Sequence, residues 1–254
     1  MQAIALNNHQ FGQHLDLLTA MYRLRRRVFK DRLDWSVSVS DDLELDVYDA
    51  LNPTYLIVTS NEGDVVGCVR FLPTTGPTML ADTFSSLLDG QAMPRSDSIL
   101  ESSRFCVDTK LATDLATNGL SRATFVLFAA MIEQLRAAGA DSIVTVTDVR
   151  MERILRRAGW ALERIGTPKR IGDRGAVQAM LSEIAGQAIA DANVSETAKV
   201  QKKIILDCLK GEGRDKVEGF VPRYMAFPIA SYDPAKTTQI GSDWEIVKTL
   251  FTGK

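Results

Sequence analysis

Between Val65 and Leu80 the chain reads Val-Val-Gly-Cys-Val-Arg-Phe-Leu-Pro-Thr-Thr-Gly-Pro-Thr-Met-Leu, an apolar run with one arginine set into it. Successive side chains of a strand alternate between faces. Val66, Cys68, Arg70 and Leu72 therefore share one side, and Val65, Gly67, Val69 and Phe71 the other. An arginine between Cys68 and Leu72 is expected to be at least half buried, and a buried guanidinium persists only beside acidic groups or an anionic ligand. The plainer alternative is a surface arginine that lays its stem along the strand. Pro73 and Pro77 cannot donate to a sheet ladder, so the strand is expected to stop there.

If Arg70 is buried, its partners must come from elsewhere in the chain. From about Gln10 to Asp34 apolar residues recur at helical spacing, and Leu15, Leu18, Met21, Val28, Phe29 and Leu33 form one face. Arg25 falls inside that face, one turn from both Met21 and Phe29, whereas Arg26 and Arg27 read as solvated. Next comes an acidic stretch, Asp41-Asp42-Leu43-Glu44-Leu45-Asp46-Val47-Tyr48-Asp49. It lacks the ligand spacing, central Gly and final Glu of a calcium loop. Two inward arginines make Asp46 and Asp49 the expected counter-charges, against the alternative of a solvated acidic loop.

Thr54 to Ser60 and Asp64 to Leu72 read as a strand pair joined at Asn61-Glu62-Gly63. Thr78 to Leu88 is expected to be short helical or irregular chain. Ile99 to Val107 is a strand carrying Glu101 and Arg104, which a regular strand would turn to opposite faces. A bulge near Ser102 and Ser103 is required if both serve one site. A helix follows over Gly119 to Ala138, ended by Gly139, then a strand over Ser142 to Thr147 and a helix over Val149 to Ala158, ended by Gly159. Trp160 to Ile165 and Ala176 to Ile184 read as the last strands, so an antiparallel opening pair precedes parallel later strands in a mixed α/β sheet. Beyond about Gly186 the composition shifts, and Asn193 with Glu196 resembles a capping box leading a helix through Val200, Ile204 and Leu209.

Several function classes drop out on composition. With 254 residues and 45% hydrophobic content the chain can bury a substantial core. A net charge of -2 speaks against nucleic-acid binding by bulk charge. No apolar run approaches the ~20 residues of a membrane span, and the N-terminus lacks a secretory pattern, so a cytoplasmic location is expected. Cys68, Cys106 and Cys208 are too few and too widely spaced for a disulfide frame or metal site. The two histidines, His9 and His14, both lie at the extreme N-terminus. Proton chemistry must then lean on carboxylates, backbone or water, with no metal.

The charged positions also form an ordered series: Arg25…Phe29…Trp35, then Glu44-x-Asp46-x-x-Asp49, then Arg70-Phe-Leu-Pro-Thr-Thr-Gly-Pro, then Glu101-Ser-Ser-Arg104-Phe. In order and spacing this resembles the acyl-homoserine lactone synthases of the LuxI type, from roughly Met1 to Ile184. Phe71 stands where that family commonly has leucine and Leu100 where it commonly has tryptophan, and the tail is longer than usual. The resemblance implies a fold like that of the GNAT acetyltransferases, a mixed twisted sheet flanked by helices over residues 1–185, with a C-terminal extension over 186–254. It implies synthesis of an N-acyl-L-homoserine lactone from S-adenosylmethionine and an acyl thioester carried by acyl carrier protein or CoA. No separate cofactor is expected, since S-adenosylmethionine is a substrate. The alternative is an ordinary GNAT acetyltransferase using acetyl-CoA, but the segment Asp114 to Arg122 lacks the Gly-rich pyrophosphate turn of such enzymes.

On this resemblance Glu101 is the expected general base, with Arg70, Arg104, Ser103, Asp46 and Asp49 completing the catalytic set. Arg25, Phe29, Trp35 and Arg104 are expected to hold S-adenosylmethionine, and Thr145 and Thr147 to line the acyl chain. Arg150, Arg153 and Arg157 fall on one ridge of a short helix, an expected docking surface for an acidic acyl carrier.

Overall fold

The computed structural model of the chain describes residues 1–112, 120–158, 160, 162–171 and 176–183. Along them run β1 (Gln2–Leu6), α1 (Leu15–Arg25), β2 (Val39–Ser40), β3 (Leu43–Glu44), β4 (Thr54–Thr59), β5 (Val65–Pro73) and β6 (Ile99–Val107). Then follow α2 (Arg122–Ala137), β7 (Ser142–Asp148), α3 (Val149–Arg157), β8 (Glu163–Arg164), β9 (Lys169–Arg170) and β10 (Ala176–Glu183). The main sheet has the order β1-β4-β5-β6-β7-β10-β8, with β9 pairing β10, while β2 and β3 form a separate hairpin.

This is the mixed sheet with flanking helices that the sequence implies, with one correction to strand direction. β6 and β7 are parallel from Ile99↔Ser142 to Ser102↔Thr145, as the long crossover through α2 permits. β10, however, runs antiparallel to β7, from Val177↔Asp148 to Glu183↔Ser142, and antiparallel to β8. The expected strand from Trp160 is also shorter than read, because Trp160 N donates to Leu155 O at 3.0 Å and so closes α3 instead of extending a sheet. Strand β1, not anticipated, pairs antiparallel with β4 from Gln2↔Thr59 to Leu6↔Tyr55.

The chain divides into two compact units. The first takes Met1–Arg70 with Arg104–Gln134, and its core joins Met21, Leu24, Phe29, Tyr55 and Ile57 with Cys68 and Cys106. Its opening helix is not continuous. A 3-10 turn over Asn8–Gln13 precedes α1, and a π turn over Arg26–Arg32 follows, with Leu33 N bonded to Val28 O at 3.0 Å. Leu15, the first residue of α1, is accordingly 62% exposed instead of facing the core. Met21, Arg25 and Phe29 do point inward as their spacing requires. The β4–β5 turn closes as expected, with Ser60 N on Asp64 O at 2.8 Å and Gly63 at φ +96°.

The second unit takes Phe71–Ser103 and the chain from Leu135. Its core gathers Leu80, Leu87, Leu88, Val144 and Ala179. Thr78 caps a π turn over Met79–Thr83 and a 3-10 turn follows over Ser85–Leu88, the short helical chain expected here. Most of the segment from Asp114 whose sequence lacks a pyrophosphate turn, the stop at Gly159 and the helix from Asn193 lie outside the described residues.

Candidate active site

In the first unit, carboxylates are set in place by their own turn before any arginine reaches them. Asp46 caps the 3-10 turn Val47–Ala50, accepting from Tyr48 N at 2.9 Å, and Asp49 reaches back to Asp46 N at 2.8 Å. Against that turn come Arg25 from the last turn of α1, Glu44 from β3, Arg70 from β5 and Arg104 from β6. Arg25 donates Nε to Glu44 Oε2 at 2.6 Å and its two terminal nitrogens to Asp49 at 2.8 and 2.9 Å. Arg70 Nη1 reaches Asp46 Oδ1 at 2.5 Å and Asp49 Oδ1 at 2.7 Å. Arg104 donates Nε to Glu44 Oε1 at 3.0 Å and lies with Nη2 2.6 Å from Asp46 Oδ2.

Three guanidinium groups and three carboxylates thus form one network whose formal charges cancel. Arg25, Arg70 and Glu44 are fully buried, whereas Arg104 and Asp46 keep 11% and 12% of their side chains exposed and form the rim. Burial opposes the charge on Asp49, but Arg25, by hydrogen bonds and charge, then Arg70 and the Tyr55 hydroxyl, outweigh it and hold this carboxyl well below the usual carboxylate range. Arg25 is likewise held protonated: burial works against its charge, and Asp49 and Glu44 more than compensate.

Aromatic rings surround the network. Arg25 lies over Tyr22, Arg70 over Tyr48 and Arg104 over Phe29, at 5.2, 5.6 and 5.6 Å from the ring centroids. Phe29 is buried and stacks at 5.1 Å on Trp35, which stays half-buried. The backbone at Arg104 is left-handed, φ +56°, so the irregularity expected near Ser102 and Ser103 falls at Arg104 itself.

In the second unit Glu101 is buried, and its two oxygens accept from the N–H groups of Met79 and Leu80 at 2.8 and 2.7 Å. The carboxylate therefore holds the start of the π turn over Met79–Thr83. Ser103 is half-buried. Thr145 is half-buried and donates its hydroxyl to Ser102 O at 2.9 Å, while Thr147 is buried. On α3, Arg150, Arg153 and Arg157 are exposed, with no ion pair among the described residues. Arg156 instead turns to the buried Glu152 at 2.8 Å, which Arg164 also meets at 2.8 Å. Burial raises the carboxyl of Glu152, but Arg164 and Arg156 prevail and leave it lowered.

The five cluster members expected from sequence, Arg25, Asp46, Asp49, Arg70 and Arg104, come together. The sixth, Glu44, stood in the acidic run without being singled out as a partner, since alternation with Leu43 and Leu45 would turn it to the face away from them. Tyr55, whose hydroxyl bonds Asp49 Oδ1 at 2.6 Å, carried no signal beyond an aromatic in a strand.

A family model described as autoinducer synthase matches residues 8–187. The chain is similar to an acyl-homoserine-lactone synthase of Agrobacterium fabrum, 44% identical over 181 residues that cover 71% of this chain and 86% of that protein. In structure it is similar to the AHL synthase LasI, with a TM-score of 0.61 and 36% identity over 71% of this chain and 90% of that one. It is also similar to TofI in a ternary complex with an inhibitor and MTA, with a TM-score of 0.61 and 30% identity over 78% of this chain and 96% of that one.

Proposed function

The chain belongs to the autoinducer synthase family, and from that premise we propose how its own residues carry the family's reaction. The protein makes an N-acyl-L-homoserine lactone from S-adenosylmethionine and an acyl thioester. The α-amine of S-adenosylmethionine attacks the thioester carbonyl; a C–N bond forms, the C–S bond breaks, the amine loses a proton to a base and the thiol departs. The carboxylate then attacks the carbon beside the sulfonium, so that a C–O bond forms, the C–S bond breaks and methylthioadenosine leaves.

The observation that carries the residue-level reading is the neutral six-member network with a mixed rim. S-adenosylmethionine presents an ammonium, a carboxylate and a sulfonium close together, and a rim offering both signs matches that pattern better than a single-sign patch. Asp46 meets the ammonium and Arg104 the carboxylate, while the Phe29–Trp35 stack takes the sulfonium or adenine. Arg25 and Arg70, fully buried, act by fixing Asp49 and Asp46. Glu101, held by the N–H groups of Met79 and Leu80, is the base, acting directly or through a water. Backbone N–H groups beside Ser103 and the left-handed Arg104 meet the thioester oxyanion. Lactone closure needs the carboxylate held over its target carbon, a proximity effect. No resident cofactor takes part.

The acyl chain lies along the face of β7 that bears Thr145 and Thr147, and the donor is an acyl carrier protein docked on Arg150, Arg153 and Arg157. Incubation with S-adenosylmethionine and matched acyl carrier protein and acyl-CoA thioesters, followed by mass spectrometry, tests this. Equal yields of methylthioadenosine and lactone, with the carrier-protein thioester preferred, are expected. An acylated amine formed from acetyl-CoA without methylthioadenosine supports the acetyltransferase alternative and contradicts the proposal.

A further inference from the structure

Among the described residues Asp49 receives five hydrogen bonds, and one of them comes from outside the charged network. Its Oδ1 accepts from Arg25 at 2.8 Å, Arg70 at 2.7 Å and the Tyr55 hydroxyl at 2.6 Å, and its Oδ2 from Arg25 at 2.9 Å and Asp46 N at 2.8 Å. Tyr55 OH also lies 3.0 Å from Tyr22 OH. A carboxylate only accepts, so the Tyr55 proton points at Asp49, and the bond between the two phenols must then be donated by Tyr22. The result is a directed chain, Tyr22 to Tyr55 to Asp49, in which each bond polarises the next. The Tyr55 ring has little freedom to break it. It is 1% exposed, stacks on Phe11 at 5.4 Å and meets the edge of Tyr22 at 6.1 Å.

We propose that Tyr55 is a positioning residue for S-adenosylmethionine: through Asp49 it fixes Arg25 and Arg70, and Tyr22 supports it from behind. This rests on the network being the S-adenosylmethionine site. The groups facing Asp49 are Arg25 and Tyr22 from α1, Tyr55 from β4, Arg70 from β5 and Asp46 from its own turn, with Glu44 and Arg104 one bond further out. Burial, reinforced by the Asp49 charge, pushes the Tyr55 hydroxyl well above its ordinary value, so it remains a donor throughout any assay range. Without that donor Asp49 keeps its arginines but loses one bond to its charged form, so its carboxyl titrates at higher pH.

Tyr55→Phe retains the ring and removes the hydroxyl. The expected result is a KM for S-adenosylmethionine raised about tenfold with kcat changed far less. Tyr22→Phe should raise the same KM by less. A packing defect alone would lower the melting temperature without separating KM from kcat. An unchanged KM in Tyr55→Phe overturns the proposal, and if that variant does not fold, an unchanged Tyr22→Phe overturns it. A wild-type protein that binds no S-adenosylmethionine contradicts the underlying site assignment instead, and direct titration of the wild type separates the two failures.

Discussion

Glu44 joins the two sides of the charged network, taking Arg25 on one oxygen and Arg104 on the other with no exposure to water. Glu44→Ala leaves the Arg25 Nε facing a buried void, which is expected to cost about 3–5 kcal/mol. Glu44→Gln keeps one accepting oxygen and should lose less. Urea unfolding midpoints measure both, and a Glu44→Ala protein as stable as wild type contradicts the account. For Glu101 the amide of Glu101→Gln brings an NH2 against a site already occupied by the donors Met79 N and Leu80 N, and it cannot accept a proton. Turnover at saturating substrates should fall by about 10²–10⁴ with S-adenosylmethionine binding retained; undiminished turnover removes Glu101 as the base. At this scale sequence was informative where a charge interrupts an apolar period, as at Arg25 and Arg70. Five carboxylates fall within Asp41–Asp49, and only the β2–β3 hairpin decides that Glu44 turns inward while Asp42 meets the surface residue Arg23.

The elements carry the site through irregularities that periodicity does not encode. The π turn after α1 sets Phe29 against Trp35, and the left-handed Arg104 redirects β6, and neither feature repeats with a period. Regular spans were legible: the strand read from Ile99 to Val107 is β6, and the helix read over Gly119 to Ala138 contains α2, Arg122–Ala137. β1 escaped notice because Gln-Ala-Ile-Ala-Leu carries little of the branched and aromatic content that marks strands. Gly139, after α2, sits at φ +69° with nothing within 4 Å of an added Cβ. Gly139→Ala should therefore cost about 1 kcal/mol from backbone conformation alone, read as a lower unfolding midpoint, and an unchanged midpoint contradicts that assignment. On α3 the exposed Arg153 and Arg157 are four residues apart. Arg153→Glu with Arg157→Glu should raise the KM for acyl carrier protein thioesters by about tenfold and leave that for S-adenosylmethionine nearly unchanged. Normal use of the carrier by this double variant contradicts the docking surface.

Across the whole molecule, strand order and direction were the least legible level, since pairing is settled by long-range contacts. The parallel β6–β7 pair follows from its helical crossover, but nothing local announces that β10 returns antiparallel. Global stability also inherits the network's titration. The Asp49 carboxyl is depressed in the folded protein, chiefly by Arg25 prevailing over burial, so the unfolded chain binds more protons as pH falls below the ordinary carboxylate value of ~4. The stabilisation is thus fully present above that value and lost as pH falls toward the folded one. Urea midpoints should be level above about pH 5 and decline below about pH 4, and a flat profile to pH 2.5 contradicts this. The central claim, that the rim of the network is where S-adenosylmethionine binds, is tested most directly by calorimetric titration of S-adenosylmethionine into the wild type and Arg104→Met. Arg104 is a rim arginine, 11% exposed and over the Phe29 ring, so its loss leaves Arg25 and Arg70 with their carboxylates. The account predicts a folded variant whose affinity falls at least about tenfold, equivalent to ~1.4 kcal/mol, and a folded variant that binds as tightly as wild type would contradict it.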